Sequence, residues 1–364
     1  MSGWAWSSRL APLCLLILGG GCGDDVEALR PPRLPPGDLI VAGPYKVVSS
    51  YDLTTSALLP KDLYGFVQDL RALRDDPAAT FFKVLDEAGV PLVGNLLAVL
   101  PGPLEDRLKG WINEYVFGAT FQGNSVRAEI DLLLEQVSEV LARFQLGSDL
   151  DLPAPDAGGR ADSLHALRTL RFALWQGTVH VVVPIDLPGI TLPGEIFVTE
   201  ARVWATVAAG RAGADAHLSL SDHSFGIPYG RLAFRALNVG SQQRSGADVR
   251  GALGEVFNCP ALGASVAQRC VLGVCVGHAG DLTAICERGL DEVVKRMRDR
   301  IEALNFNALR HHSGDASMWD VAPATGVSVD RRVDRLDPGV WKASIDIGMG
   351  PREIPASFVG ARGL

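Results

Sequence analysis

The sequence predicts an α+β fold, in which a mainly helical N-terminal domain is followed by an antiparallel β-meander. Between residues 61 and 146, apolar side chains recur every three or four positions, which is the period of a helix packed on one face. Beyond residue 162, short runs of alternating apolar and polar residues are separated by Gly, Pro and Asp, which is typical of antiparallel strands. Because the two patterns occupy different parts of the chain, an α+β class is favoured over alternating βαβ units.

The first body segment, residues 39–146, is predicted to be the helical domain. Residues 39–51 predict two short strands around Gly43-Pro44, and the helical period begins after Lys61. Asp76-Pro77 is a typical helix start, with an N-cap followed by proline in the first turn, and Gly89 ends that helix. Further helices are predicted from Pro103 and over about 125–146, and the apolar run 90–100 is predicted to be buried.

A polar segment rich in Pro and Gly, residues 147–161, predicts the linker to a second domain at 162–364. That domain is expected to hold a meander of four evenly spaced runs, two later helices, and a terminal hairpin. The runs are TVHVVVPI, EIFVTEARVWATV, DAHLSLS and GRLAFRAL, the helices span about 246–257 and 281–304, and the hairpin is VWKASIDIG with IPASFVGAR.

The N-terminus carries a targeting signal. Arg9 precedes a nine-residue apolar segment, Leu10–Leu18, which is too short to span a membrane and matches the core of a secretory signal peptide. The small residues Gly20 and Gly21 before Cys22 resemble the lipobox of bacterial lipoproteins, although Gly19 stands where that family prefers Leu. The resemblance implies a signal peptide at 1–21 and lipid attached to Cys22. It also implies an outer-membrane location, because Gly23 rather than Asp follows the cysteine. An ordinary signal peptide with an incidental cysteine is the alternative. Four prolines and few apolar residues predict an extended tether at 22–38.

Several body motifs are similar to those of a loose group of uncharacterised envelope lipoproteins from high-GC Gram-negative bacteria. They are YDLTTSALLP at 51–60, DEAGVP at 86–91, GWINEY at 110–115, and the terminal segments GVW at 339–341 and FVGAR at 358–362. This resemblance implies no particular activity.

Four cysteines remain in the body, namely Cys259, Cys270, Cys275 and Cys286. An even number clustered in an exported chain predicts two disulfides, and a zinc site is the less fitting alternative because its ligand pairs are usually closer in sequence. The symmetric spacing favours nested pairing over the two other connectivities, with Cys270 joined to Cys275 and Cys259 joined to Cys286.

The sequence contains no recognisable catalytic motif, so no catalytic residue, metal or cofactor is predicted. Three groups contain residue types that bind metals, but the pattern of each favours a solvated strand or loop. These groups are Asp215 with His217 and His223, His311 and His312 with Asp315, and Asp330 with Asp334 and Asp337. In the first group, His217 and His223 lie about 20 Å apart along an extended strand.

The predicted function is that of a non-enzymatic outer-membrane lipoprotein, facing the periplasm or the cell surface, that interacts with another envelope component. The net charge of −8 and the absence of a basic run argue against nucleic acid as a partner. A carrier for a lipid or other apolar ligand is the alternative, and a hydrolase is third. The walls of a carrier's pocket are predicted to come from Val181, Val183, Ile196, Val198, Leu133, Val137 and Leu141.

Overall fold

The computed structural model describes most of the chain from residue 39 onward. The described residues are 39–54, 68, 71–87, 102–121, 123–176, 179–188, 190, 197–208, 213–271, 274–275, 278–304, 306–320, 331–347 and 350–363. The predicted signal peptide, Cys22, the tether and the apolar run 90–100 lie outside this part of the chain.

The centre of the fold is an antiparallel sheet that closes into an eight-stranded barrel. Its strands are β1 (Gly43–Asp52), β4 (Arg143–Leu152), β5 (Arg160–Gln176), β7 (Glu200–Ala208), β8 (Gly213–Leu220), β12 (Phe306–Trp319), β13 (Arg335–Asp346) and β14 (Pro351–Arg362). They neighbour one another in the order β13-β14-β1-β4-β5-β7-β8-β12, and pairing of β12 with β13 closes the ring.

Two further strands extend this barrel. β6 (Val179–Asp186) pairs with the C-terminal half of β5, whereas β7 pairs with its N-terminal half. β9 (His223–Ile227) pairs with the N-terminal half of β12, whereas β8 pairs with its C-terminal half. Two short ladders lie outside the barrel, β2 (Thr120–Phe121) with β3 (Asn124–Ser125) and β10 (Cys270–Val271) with β11 (Val274–Cys275).

Seven helices have described bounds. They are α1 (Pro77–Glu87), α2 (Gly102–Gly118), α3 (Val126–Ala142), α4 (Tyr229–Ser245), α5 (Val249–Phe257), α6 (Cys259–Ala267) and α7 (Ala279–Glu302). α3 and α4 pack on β5, and α7 contacts α1, α4, α5 and α6. Among the described residues, none of the helices is both long enough and apolar enough to cross a membrane.

The predicted fold class is wrong, because the chain does not separate into a helical domain followed by a meander. β1, which precedes the first helices, pairs with β4 on one edge and with the C-terminal β14 on the other. The helices are therefore insertions between strands of one closed sheet. Residues 147–161, where a linker was predicted, include the second half of β4 and the start of β5.

The run GRLAFRAL, predicted as a strand, forms part of helix α4. Its apolar residues satisfy the period of two and also the helical spacing, so the local pattern is ambiguous. Packing selects the helix, since Leu232, Ala233, Ala236 and Leu237 are all buried on one face. Gly246 ends the helix with φ 80°, a left-handed conformation that glycine adopts without strain.

A disulfide joins Cys259 at the start of α6 to Cys286 in α7, with the Cα atoms 5.5 Å apart. This is the outer pair of the predicted nested arrangement. Cys270 and Cys275 are directly opposite each other across the β10–β11 ladder, but their side chains are not among those described. The pairing of these two cysteines stays a prediction.

Candidate metal centre

Three histidines from different strands meet inside the barrel. His165 lies on β5, His223 on β9 and His311 on β12, and their side chains are 1%, 7% and 0% exposed. The barrel brings these strands together because β9 and β12 are hydrogen-bonded neighbours, with His311 directly opposite His223. Within the part of the chain that the structure describes, this is the one group of three or more potential metal-ligating side chains.

A change of strand face places His223 inside the barrel and His217 outside it. β8 and β9 both pair with β12, and the register of pairing is the same for the two strands. Leu220 lies opposite Gly314, and His223 lies opposite His311. Leu218 and Leu220 face inward on β8, whereas His223 and Phe225 face inward on β9. The inward-facing residues therefore change from even-numbered to odd-numbered positions across Ser221-Asp222. The alternation of inward and outward side chains is not regular through this junction.

The ring nitrogens of the three histidines converge. The Nε2 atom of His223 lies 2.9 Å from Nδ1 of His165 and 3.0 Å from Nδ1 of His311. One atom from each ring falls within 4.8 Å of the other two. The donors of one transition metal lie at this scale of separation, because metal–nitrogen distances are about 2.0–2.1 Å.

The outer nitrogen of each ring has its own partner. Nε2 of His165 lies 2.8 Å from the Ser148 hydroxyl, and Nε2 of His311 lies 2.7 Å from the Tyr51 hydroxyl. Nδ1 of His223 donates to the backbone carbonyl of Ser221 at 2.8 Å. Metal-ligating histidines usually have such a second partner, which fixes the tautomer and the orientation of the ring.

These outer bonds define what the inner nitrogens can do. A carbonyl only accepts, so Nδ1 of His223 carries the hydrogen and its Nε2 presents a lone pair to the centre. Without a metal, the two short contacts are both hydrogen bonds only when Nδ1 of His165 and Nδ1 of His311 donate to that one lone pair. An imidazole nitrogen has a single in-plane lone pair, so two donors cannot both be well aligned with it. A cation at the centre removes this conflict, because all three rings can then direct lone pairs inward and outer hydrogens toward Ser148, Ser221 and Tyr51.

Aromatic rings cover the centre. Trp341 on β13 stacks on His311 with ring centroids 4.3 Å apart, and Phe225 meets His165 edge-on at 5.2 Å. The indole N–H of Trp341 donates to the Ser49 hydroxyl at 3.0 Å, which fixes the position of the ring. A Cβ atom at Gly314 would overlap the Trp341 ring, so glycine is required there for the indole to lie against β12.

Burial keeps the three imidazoles neutral. Loss of hydration lowers the pKa of His165 to about 3, and His223 contributes to the same direction. Burial also lowers the pKa values of His223 and His311, because a positive charge would be desolvated there. Neutral imidazoles are the form that binds metals, so protons do not compete for these nitrogens at neutral pH.

Sequence reasoning considered His223 and His311, but in two separate groups, and missed His165. His217 is exposed, His312 bonds to the Ser344 hydroxyl at 2.9 Å, and Asp315 accepts from the Ser219 hydroxyl. The Asp215 side chain and Asp330 lie outside the described residues. The one local signal for His165 is its place in the inward set Ser163, His165 and Leu167 of a strand, where a polar side chain is unusual.

Asp334 and Asp337, from the third candidate metal group, have other contacts. Asp337 forms an ion pair with Arg335, and its carbonyl accepts from the Trp319 indole. The backbone of Asp334 forms hydrogen bonds with Trp319 and Arg362.

The residues predicted to line an apolar pocket are spread over several environments. Val137, Leu141 and Val183 are packed in the core, whereas Val198 is 41% exposed and Val181 is half-buried. Leu133 lines a cleft of about 50 Å³ among α3, α4 and α5, and Ile196 lies outside the described residues. A lipid-sized ligand needs a cavity of roughly 300 Å³ or more.

Comparisons with protein-family models, curated proteins and solved structures find no match for this chain.

Proposed function

We propose that this protein is a lipid-anchored binding protein of the cell envelope that holds a transition-metal ion inside its barrel. The observation that carries the metal proposal is the convergence of His165, His223 and His311, each with its outer nitrogen hydrogen-bonded. The envelope location rests on the resemblance of the segment before Cys22 to a lipobox, and a binding role rather than catalysis agrees with the absence of a catalytic motif.

The donor set indicates the class of ion. Imidazole nitrogens suit zinc, copper, iron and nickel, whereas calcium and magnesium prefer oxygen ligands. Nitrogen atoms around a tetrahedral ion at 2.0–2.1 Å are separated by roughly 3.3 Å. Two of the observed separations, 2.9 and 3.0 Å, are a few tenths of an ångström shorter than this, whereas the three donor atoms span up to 4.8 Å. Binding one ion therefore requires the His165 and His311 rings to approach each other as His223 moves outward.

The metal proposal is favoured over the apolar carrier because side chains that were expected to line a pocket are instead packed in the core. Val137, Leu141 and Val183, three of the residues expected to line a pocket, are fully buried in a continuous core. The histidines, in contrast, direct three ring nitrogens toward one another within that interior, where Nε2 of His223 is shared between the other two rings.

The test is metal binding by the full chain purified in detergent. After treatment with a chelator, the protein is titrated with Co(II) as a spectroscopic probe and with Zn(II) in competition with a chromophoric chelator. We expect one ion per chain with submicromolar affinity. No saturable binding of either ion at micromolar concentration would contradict the proposal and would leave the histidines as a hydrogen-bonded network.

Adjacent histidines supply a matched pair of variants. His311→Gln removes an inward ligand and is expected to weaken binding at least 100-fold. His312→Gln changes the neighbouring residue, which bonds to Ser344 instead of facing the centre, and should leave the affinity unchanged. Circular dichroism of both variants checks that the fold is retained, and equal effects of the two substitutions would argue against this site.

A further inference from the structure

The electrostatic surroundings of the three histidines, rather than the ligands alone, indicate which ion they bind. This inference rests on the proposed function. The group of potential ligands consists of three neutral imidazoles and contains no carboxylate. An ion bound here would therefore keep its full charge within the coordination sphere.

The carboxylates whose charge reaches the cluster already have cationic partners. Asp149, which acts on His165, is held by Lys46 at 2.6 Å and by Arg168 at 2.8 Å. Asp222, which acts on His223, is held by the Arg310 guanidinium, with its Nε atom at 2.9 Å. Neither side chain leaves much negative charge to offset a buried cation.

The cost of burying an ion in such a place depends steeply on its charge. The self-energy of an ion in a low-dielectric interior grows with the square of the charge, so a dication costs about four times as much as a monocation of the same size. Trp341 and Phe225 cover the rings and provide no ionised group that could compensate. The surroundings therefore disfavour Zn(II) and Cu(II) relative to a monovalent ion.

Coordination number leads to the same choice. Zinc sites with three protein ligands keep a water or hydroxide in the fourth position. At this centre, the Phe225 ring lies 5.2, 5.5 and 5.8 Å from the three imidazole rings, so a fourth oxygen ligand would be placed among aromatic carbon. A monovalent d¹⁰ ion that accepts imidazole nitrogen and needs no fourth ligand fits this environment.

We infer that the centre formed by His165, His223 and His311 binds Cu(I) in preference to divalent ions. Cu(I) meets both conditions, since it carries one charge and is stable with three nitrogen donors. The inference follows from the juxtaposition of three inward imidazoles with aromatic walls and with carboxylates that are already neutralised.

The decisive comparison is between two oxidation states of the same element. The full chain in detergent is titrated with Cu(I) under anaerobic reducing conditions against a Cu(I)-specific chelator, and with Cu(II) and Zn(II) against chelators suited to each. We expect Cu(I) to bind at least 100-fold more tightly than Cu(II) or Zn(II). Equal or tighter binding of either divalent ion overturns the inference but keeps the proposed metal-binding function, whereas no binding of any ion removes both.

A charge-changing variant tests the physical cause. Ser148→Asp places a carboxylate beside Nε2 of His165, and Ser148→Asn supplies the same shape without the charge. We expect the aspartate variant to reduce the ratio of Cu(I) to Zn(II) affinity at least tenfold relative to the asparagine variant. An unchanged ratio in folded protein would show that charge does not set the preference, and the affinities of the unmodified chain decide the inference if either variant fails to fold.

Discussion

The interior of the barrel and the helical layer are both buried, but they are built from different chemistry. In the helical layer, Phe81 meets Phe257 edge-to-face at 5.0 Å, and the disulfide from Cys259 joins α6 to α7. In the barrel, His165 and His311 are buried to the same degree, but their rings need specific hydrogen-bond partners.

This difference sets how strictly each region depends on its geometry. Burying a large apolar side chain contributes roughly 1.5–3 kcal/mol and tolerates small changes in geometry. A buried polar cluster stabilises the fold only when every group is satisfied, and its geometry is correspondingly strict. Both regions thus contribute apolar burial to the fold, and the barrel interior also contains the strict polar geometry on which the proposed metal site depends.

Acidification is expected to have the largest effect on the comparison, because among the side chains that the structure describes the buried histidines all lie in the barrel interior. Unfolded histidine binds a proton below about pH 6.5, whereas the pKa of His165 in the folded protein is about 3. The unfolded state therefore holds more protons between these limits, and stability falls as the pH falls through them. For the metal-free protein we expect a loss of about 1.4 kcal/mol per pH unit from His165, and up to three times that slope if all three rings stay neutral.

Chemical denaturation of the metal-stripped chain at several pH values between 6.5 and 5.0 measures this slope. Replacing the titrating ring in His165→Gln should reduce the slope by about 1.4 kcal/mol per pH unit. A stability that does not change over this range would mean that the histidines are protonated in the fold.

A matched pair of phenylalanine substitutions sharpens the comparison. Phe257 lies in the helical layer and Phe225 lies against the imidazole rings, and each side chain is 1% exposed. Alanine at either position should reduce the free energy of unfolding by about 3–5 kcal/mol, through lost burial and a residual cavity. Only Phe225→Ala should also change metal affinity, because it admits water beside the ligands.

Urea unfolding and metal titration of both variants are the measurements. If the two substitutions alter metal affinity equally, the barrel and the helical layer are coupled, and assigning the metal site to the barrel interior alone is incorrect.

The parts of the fold that could be predicted are those determined by local periodicity. α3, α5 and α7 occupy the regions expected from their apolar stripes, and Asp76 accepts from the backbone of Ala79 at the predicted start of α1. Closure of the barrel could not be predicted, because β1 pairs with β14 about three hundred positions away and alternation does not specify a strand's partner.

Local sequence patterns also predicted only part of the candidate site. His223 and His311 drew attention as members of short histidine-containing runs, but His165 is a single histidine in a long strand. Separation of His223 from His217 depends on the face change at Ser221-Asp222, which a regular alternation does not predict. The site is assembled by strand pairing over long distances, so local patterns in a single sequence do not show which histidines meet.

The smallest expected effect on metal affinity comes from removing a hydrogen bond to the outer nitrogen of a histidine. It tests whether buried tyrosine hydroxyls on the same strand differ in their effect on the metal site. Tyr51→Phe removes the hydroxyl that meets Nε2 of His311 at 2.7 Å. Tyr45→Phe removes the same group from the same strand, where it donates to the Val41 carbonyl at 2.7 Å, lies 3.1 Å from the Val333 carbonyl and accepts from the Arg362 guanidinium at 3.1 Å. Tyr51→Phe should cost about 1 kcal/mol of stability through a lost buried hydrogen bond, and Tyr45→Phe should cost at least about as much because its hydroxyl has more partners. Only Tyr51→Phe should weaken metal binding, by roughly 10- to 100-fold, because His311 loses the partner that orients its ring. Titration of both variants with the same ion decides the matter, and equal affinities would show that the tyrosine hydroxyl beside His311 supports the fold but not the metal.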